Sequence, residues 1–216
     1  MNTIKEKNNI SFKFFFKPKK FNSKQYWEKR YWKGGDSGDG SYGKLAEFKA
    51  KEINRFVKEN EIKTIIEWGC GDGNQLIYMN YPDYIGFDVS KTAVSHCKKI
   101  FKNDRSKIFK HTDEYKNQTA DLILSLDVIF HLIEDHIYTD YMNRLFDSSQ
   151  QYVIIYSSNT ARQLEHIPEH FYQRKFTDWV EKNKSEFSLI EKVKNEFPYD
   201  ANTGKGSISD FFIYQK

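Results

Sequence analysis

The sequence predicts an α/β fold in which helices cover both faces of a mostly parallel sheet of seven strands, the last of them antiparallel. Three observations support this prediction. Short apolar segments alternate with amphipathic helical segments along most of the 216 residues, which is typical of βα units. A glycine-rich turn directly follows the first apolar segment. The last two apolar segments flank a turn rich in glycine, asparagine and aspartate, which indicates an antiparallel strand pair.

The N-terminal part contains two irregular segments. Residues 1–23 are predicted to form a flexible basic extension, because residues 1–20 contain six lysines and one glutamate. Alternating Phe and Lys in this extension leave docking on a partner or on an anionic membrane surface as an alternative. Five glycines with serine and aspartate then occur over residues 34–43, which predicts a flexible or tightly turned loop. Residues 24–44 are interpreted as a lid, and a plain linker is the alternative.

The central feature is the segment Thr64–Asn74, which reads Thr-Ile-Ile-Glu-Trp-Gly-Cys-Gly-Asp-Gly-Asn. Its β-branched start predicts a strand that ends near Glu67. Glycine then recurs at alternate positions, which lets the chain turn sharply and lets its backbone approach a ligand. Asn74 is expected to cap a helix over Gln75–Asn80. A strand, a glycine turn and a helix N-terminus together predict a nucleotide-binding site.

A second strand, Tyr84–Ser90, also ends in an acidic residue, Asp88. An acid at this place in a βαβ unit can accept hydrogen bonds from both ribose hydroxyls of a nucleotide, and a helix N-cap is the alternative role. A dinucleotide fingerprint would require a third glycine where Asn74 stands. This difference disfavours a nucleotide-dependent oxidoreductase of the NAD type. The intact glycine turn and the acids disfavour a catalytically silent binding module.

The remaining periodic patterns predict the other helices and strands. Helices are expected over Leu45–Asn60, from a cap at Ser90 to Phe101, over Phe130–Phe146 and after a cap at Thr177. Strands are expected at Ser106–Phe109, Ala120–Leu126, Tyr152–Tyr156, Leu189–Phe197 and Ile208–Tyr214. The apolar run Ala120–Leu126 has the composition of a strand buried on both faces.

Composition bounds the class of protein. The 18 Phe, 14 Tyr and 4 Trp can build a core of adequate size for one domain. The net charge of +4 comes from residues 1–20, so the rest of the chain is near neutral and no nucleic-acid partner is expected. No apolar run approaches the ~20 residues of a membrane helix, and no signal peptide is evident, so a cytoplasmic location is expected. The two cysteines, which form no CxxC pair, indicate no zinc site.

Three patterns resemble class I S-adenosylmethionine-dependent methyltransferases. The Glu-x-Gly-x-Gly-x-Gly pattern from Glu67 to Gly73 is similar to motif I of that family. The Asp-Val-x-x-His-Leu segment Asp127–Leu132 is similar to the segment that follows the family's fourth strand. The Tyr-Trp segment at Tyr26, followed by the loop 34–43, resembles the N-terminal cap of a subset often associated with bacterial surface-polysaccharide synthesis.

The resemblance implies a single Rossmann-like methyltransferase domain over residues 24–216, with residues 24–44 as a lid and residues 157–186 as an insertion on the acceptor side. It implies S-adenosylmethionine as the cofactor and a small-molecule acceptor, a hydroxyl of a sugar or of a phosphorylated surface-glycan precursor. The implied cofactor contacts are Ser41, Tyr42, Glu67, Gly69, Cys70, Gly71, Asp72, Gly73, Asn74, Asp88, Val89, Asp113, Asp127 and Val128. The predicted acceptor contacts are Tyr26, Tyr31, Ser37, Arg162, His166 and His170.

His131 is the candidate catalytic residue. A histidine has an unperturbed pKa near 6.5, which suits a general base that removes a proton from a hydroxyl acceptor, with a titration expected at about pH 6–7. The alternative is that His131 only packs near the cofactor. Arg162, His166 and His170 can recognise an anionic acceptor or can belong to a solvated surface. His166 and His170 are not expected to hold a metal, because Pro168 interrupts a helix there and no third ligand is evident.

Overall fold

The computed structural model describes residues 21–163 and 168–216. Most of the predicted N-terminal extension, and the predicted acceptor contact His166, therefore lie outside the described residues. The first described helix begins at Ser23, which is the last residue of the predicted extension. None of the helices in the described part of the chain is long and apolar enough to cross a membrane.

Seven strands form one sheet in the order β3-β2-β1-β4-β5-β7-β6, and the predicted fold class is confirmed. The pairs among β1 to β5 are parallel, whereas β7 runs antiparallel to both β5 and β6. The strands are β1 Thr64–Trp68, β2 Asp83–Asp88, β3 Lys107–His111, β4 Ala120–Leu126, β5 Ser149–Ser157, β6 Ser188–Val193 and β7 Asp210–Gln215. The α-helices are α1 Ser23–Trp32, α2 Gly43–Glu59, α3 Lys91–Ile100, α4 Asp135–Asp147 and α5 Phe176–Asn183.

Each face of the sheet is covered by one layer of helices. Side chains alternate along a strand, so one face of β1, β4 and β5 packs against α2 and α3, and the other packs against α4 and α5. Ile65 and Ile66 illustrate this alternation, because these adjacent residues belong to the two different core layers. Since β2 and β4 lie on opposite sides of β1, a crevice opens at the carboxyl ends of these strands, where ligands of open α/β sheets bind.

Three of the predicted helix boundaries are wrong, and at Asn74 and Thr177 a tertiary contact competes with local sequence preference. Asn74 has helical backbone angles and no capping bond, since its amide Nδ2 donates to the carbonyl of Ser41; only a 3-10 helix, Gln75–Tyr78, follows it. The helix predicted to begin at Phe130 begins at Asp135, after a separate 3-10 turn. Thr177 lies inside α5 and pairs with Asn159, so it is not the cap.

Candidate active site

A cavity of about 520 Å³ opens at the carboxyl ends of β1, β2 and β4, within the usual size range of ligand sites. The topology brings most of the predicted site residues to this one place. The predicted residues that line it are Tyr31, Ser37, Ser41, Glu67, Gly69, Cys70, Gly71, Asp72, Asp88, Val89, Asp113, Asp127, Val128 and His131. Among residues 21–163 and 168–216, no group of three or more His, Cys, Asp or Glu side chains is arranged to hold a metal ion.

The other predicted site residues that the structure describes do not line the cavity: Tyr26, Tyr42, Gly73, Asn74, Arg162 and His170. Tyr26 stacks on His170, with ring centroids 4.6 Å apart, outside the cavity wall. The Tyr42 hydroxyl donates to Asp72 Oδ2 at 2.9 Å, and so contacts the glycine loop from the outside. Arg162 is exposed at the surface.

The glycine loop must contain glycines at two of its positions. Gly69 has φ of +85°, and a Cβ atom there would lie 2.5 Å from Val128 Cγ2. Gly71 has φ of +56°, and a Cβ atom there would collide with Ser37 Oγ. The loop is therefore held between the segment that follows β4 and the predicted lid, and its backbone faces the cavity between them.

Two buried carboxyl groups lie at the ends of the first two strands. Asp88 accepts hydrogen bonds from the backbone N–H of Gly71 at 2.9 Å and of Ser90 at 2.8 Å. Burial raises the pKa of Asp88 to about 6, although these hydrogen bonds oppose the shift. Burial also raises the pKa of Glu67 to about 7, and the hydroxyl of Tyr84 donates to Glu67 at 2.7 Å.

The raised pKa of Glu67 predicts that the protein becomes less stable as pH rises. Between the unfolded value of 4.5 and the folded value of about 7, the native state binds this proton more tightly, so the free energy of unfolding falls as pH rises through that interval. The fall that Glu67 contributes is about 3 kcal/mol.

We expect Glu67→Gln to reduce the difference in unfolding free energy between pH 5 and pH 8, as measured by urea denaturation. The glutamine keeps an acceptor for Tyr84 and never ionises. Burial raises the pKa of Asp88 as well, so part of the pH dependence of the unfolding free energy remains in this variant. An identical pH dependence in the variant and the wild type would contradict the assignment.

The predicted lid is attached to the domain at several points. The Glu28 carboxylate accepts hydrogen bonds from the hydroxyls of Ser90 and Thr92, both at 2.7 Å. The Ser37 backbone N–H donates to Asp72 Oδ2 at 2.8 Å, and the Asp72 N–H donates back to Ser37 Oγ at 3.0 Å. Ser23, which precedes the predicted lid and begins α1, donates to Glu134 from both its backbone N–H and its hydroxyl. Helix α1 and the loop after it thereby cover the glycine loop.

His131 is held by hydrogen bonding and by packing against other rings. Its Nδ1 lies 2.7 Å from the carbonyl oxygen of His170, so Nδ1 carries the proton and Nε2 is left as the acceptor. Trp27 contacts the imidazole edge-on, with ring centroids 4.9 Å apart. Burial lowers the pKa of His131 to about 4, so the expectation of a titration at pH 6–7 is wrong.

A buried lysine, Lys49, and the partly exposed Asp127 form an ion pair in the cavity wall that the sequence did not reveal. Lys49 Nζ lies 2.7 Å from Asp127 Oδ2, and the Ser209 hydroxyl donates to Oδ1 at 2.9 Å. Asp127, a predicted cofactor contact, therefore has both carboxylate oxygens engaged by the protein. A signal for Lys49 exists in the sequence, because it stands three residues after Ala46 and four before Ile53, on the apolar stripe of α2.

Other cavity-lining residues were also missed. They belong to α1 and its N-cap, to α4, to the end of β1 and to the 3-10 turns after β1 and β4, where nothing local marks them: Asn22, Lys24, Trp27, Trp68, Gln75, Leu132, His136, Ile137, Asp140, Tyr141 and Arg144. Trp68 packs against Phe87, and Tyr115 covers both rings from the short β3–β4 connection. Only the three-dimensional fold brings these side chains to the cavity.

The sheet order, the glycine loop after β1 and the acid at the end of β2 define the class of Rossmann-like methyltransferases. Residues 42–184 match the family described as methyltransferase domain, and the chain belongs to this family. No curated protein matches the sequence.

Several solved structures share the fold at low sequence identity. Magnesium protoporphyrin IX methyltransferase (ChlM) from Synechocystis PCC 6803 with bound SAM has a TM-score of 0.64 and 13% identity, covering 93% of this chain and 100% of that one. The N-methyltransferase NodS from Bradyrhizobium japonicum WM9 in complex with S-adenosyl-L-homocysteine has a TM-score of 0.65 and 13% identity, covering 91% of this chain and 99% of that one. The methyltransferase domain of bacterial CtHen1-C has a TM-score of 0.60 and 18% identity, covering 78% of this chain and 97% of that one. The family and the fold support S-adenosylmethionine as the cofactor.

Proposed function

We propose that this methyltransferase uses S-adenosylmethionine to methylate a hydroxyl of a small polar acceptor, a sugar or a phosphorylated surface-glycan precursor. The observation that carries the proposal is the imidazole of His131, which lines the cavity and is neutral. Its Nδ1–H donates a hydrogen bond to the His170 carbonyl. Nε2 has no hydrogen-bond partner among the described residues, so it can accept a proton.

The residues in the cavity fit the cofactor. Gly69 and Gly71 line the cavity together with the Asp88 carboxylate, which is proposed to recognise the ribose. Val89 and Val128 can flank an adenine, and Asp113 can accept from its amino group. Bound S-adenosylmethionine supplies a methyl group on a sulfonium, which is already activated for displacement.

The protein contributes alignment, exclusion of water and a proton acceptor. Holding two reactants in the correct geometry can lower a barrier by about 7–11 kcal/mol. His131 Nε2 can take the proton of an acceptor hydroxyl, and proton transfer to a positioned base contributes about 10²–10⁴-fold. The lid contributes by covering the glycine loop, as the bonds from Ser37 to Asp72 support.

The acceptor region offers different groups from those predicted. Arg162 and His170 do not line the cavity. Lys24 and Arg144 do line it, but Lys24 lies 3.6 Å from Asp113, the proposed adenine contact, and Arg144 lines a neighbouring cavity together with Asp113. These two cations are therefore proposed to lie at the adenine end of the site, and the polar contacts to the acceptor are proposed to come from Tyr31 and Ser37. The association with surface polysaccharides and a cytoplasmic location both stay predictions.

Binding and transfer assays test the proposed function. S-Adenosylhomocysteine is expected to raise the melting temperature of the protein, and NAD is not. Methyl transfer is then assayed with nucleotide sugars, sugar phosphates and amines, because NodS is named an N-methyltransferase. Stabilisation by NAD alone would support an oxidoreductase instead. Transfer to amines but not to hydroxyls would refute the acceptor assignment, and cofactor binding without any transfer would support a silent module.

A further inference from the structure

We propose that Arg174 is a positioning residue, whose guanidinium fixes the turn after β4 and so orients the His131 imidazole at the cavity wall. The catalytic value of this orientation rests on the proposed function, since it assumes that His131 is the base. Arg174 does not line the cavity, and its side chain is only 15% exposed. It therefore acts through the residues that it contacts rather than on the acceptor.

The turn after β4 contains little regular structure of its own. The 3-10 turn Ile129–His131 is three residues long and has no side-chain cap. Helix α4 begins only at Asp135, so the residues between the turn and the helix are irregular. A 3-10 turn has poorer hydrogen-bond geometry than an α-helix and is used in short pieces. The orientation of His131 therefore depends on contacts with other parts of the chain.

The segment 170–174, which contains no helix or strand, supplies two of these contacts. The Tyr172 backbone N–H donates to the Phe130 carbonyl at 2.8 Å. The His170 carbonyl accepts from His131 Nδ1 at 2.7 Å. Backbone polar groups outside helices and strands need such partners, so the turn and the segment satisfy each other. The segment is thereby attached to the turn at Phe130 and at the imidazole itself.

Arg174 attaches the same segment to the residues that follow the turn. Its Nη2 lies 3.0 Å from the Ile133 carbonyl oxygen and 3.3 Å from that of Leu132. Nη2 also lies 2.8 Å from Oδ1 of Asp135, the first residue of α4. One guanidinium therefore joins the turn to the start of the helix that follows it. A lysine would keep the charge at this place, but its ammonium group lacks the planar fork of donors.

Two aromatic rings hold the guanidinium in place. The Arg174 Cζ lies 4.6 Å from the ring centroid of Tyr138 on α4 and 4.6 Å from that of Tyr172. Arginine stacks on aromatic faces through its planar, delocalised charge, which a lysine ammonium group does not reproduce. Tyr172 also carries the backbone bond to Phe130, so the same residue fixes both the guanidinium and the turn. Arg174 thus occupies a defined position between α4, the turn and the segment 170–174.

The pKa of His131 provides a measure of this role. The charged and titratable groups that face the imidazole are Arg30 on α1, Asp127 after β4 and His170 on the segment 170–174. Burial is the largest cause of the lowered pKa of about 4. A loosened turn would admit water to the imidazole and move its pKa toward the ordinary value near 6.5. A residue that contributed only to the stability of the fold would not change this pKa in the folded protein.

An NMR titration of the protein with isotope-labelled histidine measures this pKa without any ligand, and His131→Asn assigns the resonance. In Arg174→Met the midpoint is expected to rise to about pH 5 or above, whereas wild-type His131 should be mostly neutral at that pH. Arg174→Lys, which keeps the charge, should show a smaller rise in the same direction. Arg105→Met, the same substitution at an exposed arginine, is the matched control and should leave the midpoint unchanged. Single-turnover methyl transfer at pH 7 should fall about tenfold or more in Arg174→Met, because a misplaced base aligns poorly with the acceptor.

A wild-type midpoint in the folded Arg174 variants would overturn the positioning role. If Arg174→Met does not fold, Arg174→Lys decides the question by the same criterion. A raised midpoint in Arg174→Met with a wild-type midpoint in Arg174→Lys would also overturn it, because the lost charge alone would then explain the change. A raised midpoint in both variants, together with near-normal kcat in His131→Asn, would refute the base in the proposed function and leave the positioning of the imidazole supported.

Discussion

Asp88→Ala is expected to weaken binding of S-adenosylhomocysteine by at least 100-fold. The carboxylate stands at the end of β2, lines the cavity and is proposed to accept two hydrogen bonds from the ribose hydroxyls. Hydrogen bonds to a charged group contribute about 1.5–3 kcal/mol each, and each 1.4 kcal/mol is tenfold in affinity. Isothermal titration calorimetry at pH 8, where a group with a pKa of about 6 is ionised, measures the change.

The matched control is Asp83→Ala, which makes the same substitution at the exposed start of the same strand. This variant should keep wild-type affinity. Asp88→Ala also removes the acceptor for the N–H groups of Gly71 and Ser90, so the fold of the variant must be verified from its circular dichroism spectrum and melting temperature. A folded Asp88→Ala protein with unchanged affinity would show that Asp88 only shapes the glycine loop.

The features that the sequence predicted correctly are those that short-range preferences determine. Ala120–Leu126 is the same strand in the sequence prediction and in the structure, because a short and mainly apolar segment is typical of a strand buried on both faces. Ser90 caps α3 as expected, since its hydroxyl accepts from the N–H of Ala93. The positions of the glycine loop and of Asp88 followed from the spacing of these elements.

The features that were missed depend on contacts between distant segments. The preference of Asn74 for a cap position was overridden when its amide found a carbonyl in the lid, 33 residues away. Tyr26 looked like an acceptor contact, but it packs against His170 from a segment far along the chain. Lys49 resembled one more surface lysine, because the burial that gives it a role comes from Asp127 and Tyr156.

The protonation state of His131 likewise could not be predicted from its neighbours in the sequence. Its pKa is set by burial beneath Trp27 and beside His170, and neither residue lies within 35 positions of it in the chain. The sequence therefore located the imidazole but gave it the titration of an exposed histidine. The role of His131 as a base stays a prediction, and burial changes the pH dependence expected of it.

His131→Ala is expected to lower kcat at least tenfold, and up to about 10³-fold, with a hydroxyl acceptor while cofactor affinity stays within threefold. The reason is that Nε2 is proposed to take the hydroxyl proton, whereas the proposed cofactor contacts lie in the glycine loop and at Asp88. Single-turnover kinetics with labelled S-adenosylmethionine measures the rate of transfer. His136→Ala, an exposed histidine that lines the same cavity, is the matched control.

The pH profile of the wild type separates this mechanism from simple packing. Because burial lowers the pKa of His131 to about 4, the imidazole is already neutral at pH 6, and its protonation should not change the rate between pH 6 and 8. With cofactor saturating, the fall in rate that His131 causes should occur only as pH approaches 4, in wild type and not in His131→Asn, whereas protonation of Asp88 near pH 6 affects cofactor binding equally in both proteins. The asparagine amide can still donate to the His170 carbonyl, as Nδ1 does, but it cannot take up a proton. Near-normal kcat in His131→Asn would therefore show that this position aligns the acceptor and that no proton is transferred to it.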